Sequence, residues 1–197
     1  TLMPEVAALS GISMSFYALT LVIRKPMRAM WLLASGLTIA FLSEGLLPAA
    51  MVVTTTAGII FLPAIREHAA AKRALLLGTA FALPGILLWC WLCQQWANGL
   101  WAAWWATQTN IQIPSNHVYF IRTLAWYAWP ALPLALWGTW RFRHAVLHTY
   151  RFQLSLIFFA FAFVLIGFFS GRSEVNALPL LVPLTALAAG SIETLKR

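Results

Sequence analysis

Residues 41–48 read FLSEGLLP, and the fold turns on how that stretch is read. Glu44 is the one charged residue between Arg28 and Arg66. As a single helix, the apolar block Ala29–Ile65 would be roughly 55 Å long at about 1.5 Å per residue. A bilayer core is only about 30 Å thick, and tilt does not absorb that difference. Both flanks are basic: Arg24, Lys25 and Arg28 before the block, Arg66, Lys72 and Arg73 after it. Basic flanks on one side of a membrane require an even number of crossings. The block is therefore expected to be a helical hairpin with its tip at Ser43, Glu44 and Gly45.

Composition points the same way. The chain has 197 residues, of which 61% are hydrophobic and only 9% charged. A soluble domain carries about 25% charged residues, so the expected class is an all-α integral membrane protein. Seven spans are expected: Val6–Ile23, Ala29–Ser43, Gly45–Ile65, Ala74–Cys93, Thr123–Trp140, Leu154–Ser170 and Val175–Ile192. They form a single transmembrane domain over residues 1–197. The net charge of +8 sits in short clusters between apolar runs, which is topology charge and argues against nucleic acid as a partner. The hairpin fixes the sidedness of the rest. Arg24, Lys25, Arg28, Arg66, Lys72, Arg73, Arg141, Arg143, Arg151, Lys196 and Arg197 fall inside, with Glu67 and Glu193. Glu5, Glu44, Glu174, Arg122 and Arg172 fall outside.

The long connection, residues 94–122, is external on this reading. It carries Trp96, Trp101, Trp104 and Trp105, and tryptophans favour the headgroup level. Its first part is expected to lie in the interface, ending by Pro114. Prolines 48, 63, 84, 130, 133, 179 and 183 suggest kinked helices around an internal cavity.

Candidate chemistry gathers on the outer face. Arg122 and Arg172 oppose the charge bias at the mouths of spans, and a guanidinium suits a phosphate because it is always charged and binds bidentately. The competing reading is snorkelling to lipid headgroups or pairing with Glu44 and Glu174. Glu5, Glu44 and Glu174 are acid, base or ligand candidates, each also at a helix end where a carboxylate reaches water; Glu174 favours a helix N-terminus besides. His117 is a proton-shuttle candidate, but one histidine makes no metal site. His144 and His148 share a helical face among arginines and read as interfacial. Cys90 and Cys93 have CxxC spacing within an apolar span, where two small buried residues are the plainer reading than redox work. No phosphate-binding glycine loop and no nucleophile elbow occur in the sequence.

Three stretches in order carry a resemblance. SGLTIAFLSEGLLPA, residues 35–49, resembles a segment in which GLAFLxKG ends one span and opens the next. HVYFIRTLAWYAWPALPLALW, residues 117–137, resembles an external loop leading into a Pro-Trp-rich helix. GRSEVNALPLLVPLTALAA, residues 171–189, resembles the motif R-x-x-Y-x-LPLLPPLALLA. Together they resemble the GT-C superfamily of membrane glycosyltransferases, especially protein O-mannosyltransferase and lipid A aminoarabinose transferase relatives.

The resemblance implies transfer of a sugar from a polyprenyl-phosphate donor to a lipid or protein acceptor. The reaction would occur at the outer face of a bacterial inner membrane, periplasmic or extracellular, with membrane lipids as surroundings. It implies a catalytic acid in a loop upstream of Thr1, so that the chain is an internal fragment. It leaves room for a divalent metal in the full-length enzyme and calls for no other cofactor. By position, Glu44 stands where the family has Lys, Arg172 matches the basic residue before the LPLLPP-like helix, and Asn110 and His117 match polar loop positions. Pro4-Glu5 resembles a Pro-Asp pair opening an earlier span. A carboxylate in place of that lysine repels a phosphate by about 1 kcal/mol at 4 Å in water. The rival readings are a transporter or flippase for a lipid-linked substrate, which needs ionisable groups near the midplane, and a non-catalytic membrane subunit.

Overall fold

The computed structural model describes residues 4–96, 99–109, 126, 128–141, 149–169 and 174–195. Among these, every regular element is helical. The chain forms two compact units, Thr1–Gln112 and Ile113–Arg197.

In the first unit, α1 spans Pro4–Leu21, α2 Pro26–Glu44, α3 Leu46–Ile60, α4 Pro63–Arg66, α5 Ala69–Trp96 and α6 Leu100–Thr109. The hairpin is present: a single residue, Gly45, separates α2 from α3. Gly45 takes φ +97°, a left-handed conformation open to glycine because it has no Cβ. Its N–H donates to the Phe41 carbonyl at 2.9 Å and closes the end of α2. The chain then reverses, so that α3 packs against both α1 and α2.

α2 is the hub of this unit, packed by α1, α3 and α5. It buries Ala29, Met30, Leu33, Ala34, Leu37, Ala40 and Phe41, a stripe at helical spacing. Its contact with α1 is unusually close. A Cβ added to Gly11 would lie 2.6 Å from the Ala40 backbone nitrogen, and one added to Gly36 would lie 2.5 Å from Ser15 Oγ. Gly11-x-x-x-Ser15 and Gly36-x-x-x-Ala40 are thus facing small-residue motifs that let two antiparallel helices approach at backbone distance. Ser15 is fully buried, and its hydroxyl donates to the Gly11 carbonyl at 2.9 Å. Thr55 and Thr56 on α3 are satisfied in the same way, by carbonyls one turn back. These internal bonds let hydroxyls stand in an apolar packing without orphaned protons.

In the second unit, α7 spans Ala131–Arg141 and α8 Tyr150–Phe169; a 3-10 turn, Glu174–Leu180, leads into α9, Leu181–Leu195. α9 packs on α7 and α8. Leu154, Phe158, Ala162 and Ile166 form the buried stripe of α8, with Leu184, Leu187 and Ala188 buried on α9.

Among the described residues, three helices are long and apolar enough to cross a membrane: Pro26–Glu44, Ala69–Trp96 and Tyr150–Gly167. Leu46–Ile60 and Ala177–Ala189 are shorter apolar helices. The expected third span proves shorter than its apolar run because Pro63 opens a separate turn, α4. The last expected span begins as a 3-10 turn through Pro179 and becomes α-helical at Leu181. The prolines mostly punctuate helices. Pro48, Pro133 and Pro183 fall in first turns, where no intrahelical N–H is needed. Pro130 lies in a turn, and Pro84 is the one proline in the interior of a described α-helix.

Candidate functional site

The sequence candidates separate into those the structure places and those beyond the described residues. Asn110, His117, Arg122 and Arg172 lie outside the described residues, as do His144 and His148. Glu174 opens the 3-10 turn of the second unit. Glu5 and Glu44 are placed, and together.

Their pairing follows from the α1–α2 register. Gly11 faces Gly36 and Ala40, and Gly36 faces Gly11 and Ser15. Extending that antiparallel register outward brings Glu5, in the first turn of α1, opposite Glu44, the last residue of α2. Each carboxylate is half-buried, and the charge of Glu5 acts on Glu44. Neither side chain has a hydrogen-bond partner among the described residues. Two such carboxylates have their acceptor lone pairs open to hydroxyls or a proton. Among the described residues no group of three or more His, Cys, Asp or Glu is placed to hold a metal.

Beside this pair, α6 is fastened to the hairpin tip by Gln108, a residue the sequence did not single out. Its Oε1 accepts from the Leu46 N–H at 3.0 Å, and its Nε2 donates to the Glu44 carbonyl at 3.3 Å. One amide thereby satisfies a backbone group at the end of α2 and another at the start of α3, both left open where helices terminate. A Cβ at Gly45 would also stand 2.6 Å from Gln108 Oε1, so the amide would have to shift to admit one.

An aromatic cluster completes this end of the unit. Trp89 on α5 meets Trp104 on α6 edge-on with ring centroids 5.2 Å apart, and Phe41 on α2 packs against both. Trp101 stacks on Trp104 at 5.3 Å and faces Trp105. Edge-to-face and offset stacks of this kind suit the ring quadrupoles. The arrangement offers indole faces next to two carboxylates, a combination of apolar platforms and hydroxyl acceptors.

No Lys or Arg lies between Arg28 and Arg66 or between Arg73 and Arg122. This end of the first unit is therefore acidic and holds no cation for a phosphate among its described residues. Cys90 and Cys93, on the facing stretch of α5, are free and half-buried.

No family model, no curated protein and no solved structure matches this chain.

Proposed function

We propose that this chain belongs to the transmembrane part of a sugar transferase that uses a polyprenyl-phosphate donor at the outer membrane face. The observation that carries the reading is the acidic end of the first unit. Glu5 and Glu44 lie opposite one another beside tryptophans of α5 and α6. The ordered likeness of residues 35–49, 117–137 and 171–189 to the GT-C glycosyltransferases supports it. So does the position of the charges: Arg28, Glu44, Lys72, Arg73 and Arg151 all stand toward the ends of the three long apolar helices. A pathway through the membrane calls for ionisable groups nearer the midplane, so an interfacial site is the better reading.

The division of labour follows from charge. The leaving phosphate needs positive charge where its own charge develops, and Arg172 and Arg122 are the residues for it. Glu5 and Glu44 would repel that phosphate and are suited to the sugar or acceptor hydroxyls. By the resemblance, Asn110, His117 and Glu174 are further candidates for holding substrate. The deciding measurement is sugar transfer from a labelled polyprenyl-phosphate sugar by the natural protein in membranes. Arg172→Ala should abolish transfer, and Glu44→Gln should reduce it while leaving donor binding intact. Unchanged transfer in Arg172→Ala ends the phosphate assignment. Translocation of the donor without transfer would favour the transporter reading.

A further inference from the structure

The opposite end of the first unit is basic, and its cations are brought together by the fold. α2 and α5 run parallel: Gly78 packs on Met30 and Leu33, Gly85 on Thr38, and Phe41 on Trp89. Carried back toward the helix starts, this register sets Lys72 and Arg73 at the level of Arg24, Lys25 and Arg28. All five are exposed, and none has an ion pair among the described residues. Glu67 is the one acid described at this end.

An apolar surface continues directly from these cations. Met27 and Trp31 are one turn apart on α2, 68% and 58% exposed, and Leu77 and Phe81 are one turn apart on α5, 48% and 49% exposed. Trp31 stacks on Phe81 with centroids 5.4 Å apart and joins the two helices. Gly78 lies between them, its missing side chain letting α5 close on the Met30 carbonyl. Clustered exposed cations next to an exposed aromatic-lined stripe match an amphiphile with an anionic head and a hydrocarbon tail. A soluble anion would have no use for the stripe, and a zwitterionic lipid none for five clustered cations.

We propose that this end of the α2–α5 pair seats an anionic phospholipid. Arg24, Lys25, Arg28, Lys72 and Arg73 surround its phosphate headgroup, and an acyl chain lies along Trp31 and Phe81. The proposal is independent of the sugar-transfer reading, since it uses none of the acidic-end residues.

The test is reconstitution of the purified protein into phosphatidylcholine vesicles or into vesicles of about three parts phosphatidylcholine to one part phosphatidylglycerol. Phosphatidylglycerol should raise the unfolding temperature by about 4 °C or more, and high salt should erase most of that rise. The variant R24Q/K25Q/R28Q/K72Q/R73Q should lose the rise, and R24K/R28K/R73K should keep it. An equal rise in the five-glutamine variant overturns the proposal, as does its reproduction by soluble glycerophosphoglycerol. A second measurement does not depend on that variant folding. Phosphatidylglycerol with brominated acyl chains should quench the wild type more than Trp31→Phe, whereas brominated phosphatidylcholine should not discriminate them. Equal quenching of both proteins by the brominated anionic lipid refutes the seat.

Discussion

α2 and α5 are both long and apolar enough to cross a bilayer, yet they do different work. In the most apolar stretch of α2, 44% of residues are buried inside the protein, against 17% for α5. α2 is wrapped by three helices, one of them held at backbone distance through Gly11 and Gly36. α5 turns Leu76, Leu83, Leu87 and Leu88 outward. Apolarity alone does not distinguish a helix that builds the interior from one that faces its surroundings. The distinguishing mark is the small residues, which appear where backbones must meet.

The sharpest way to break this contrast is at Gly36. Gly36→Leu drives a side chain into Ser15 and the Gly11 carbonyl, and the cost is expected to reach about 3 kcal/mol or more. A thermal unfolding scan read by thiol-reactive dye at Cys90 and Cys93 would report it. If the scan stays within 1 °C of wild type, the close-packed α1–α2 interface is wrong. Next comes the hairpin tip, where Gly45→Ala combines a left-handed φ with a contact against Gln108. It should cost about 2 kcal/mol. Gln108→Ala should cost about 1 kcal/mol for two lost hydrogen bonds at partly exposed helix ends. The two changes should also be less than additive, because removing Gln108 removes part of what the new methyl strikes. Strict additivity in the double variant would show that α6 does not clamp the tip. At the other extreme, Leu87→Ala on the outward face of α5 should shift stability by less than about 0.5 kcal/mol. A large loss there would mean that another surface covers this face.

Legibility differed from place to place for physical reasons. The hairpin at Gly45 could be read from one dimension, because length against bilayer thickness and the parity of basic flanks are both properties of order along the chain. Helix ends were less legible. Pro63 starts a new turn inside an apolar run, and residues 174–180 wind as a 3-10 turn, since local chain geometry there overrides apolar continuity. The α1–α2 contact had a signal in the facing GxxxS and GxxxA spacings, but each is short and common enough to pass as ordinary helix. Gln108 had none. It sits among other polar residues, and only the return of α6 to the tip, 62 residues distant from Leu46, gives it two backbone partners.

By itself the sequence determined the helical class, the membrane-spanning apolarity of α2, α5 and α8, and the reversal at Glu44 and Gly45. Those follow from burial of apolar groups and from the cost of placing charge in hydrocarbon, which act on composition and order. The tertiary structure alone decided that Glu44 lies opposite Glu5, that Gln108 ties α6 to the tip, and that the cations of α2 and α5 share one level. Each is a matter of which helix lies beside which and in what register, and register is set by close packing at Gly11 and Gly36, where a single methyl group is too large, and at Gly78, where one would be tight.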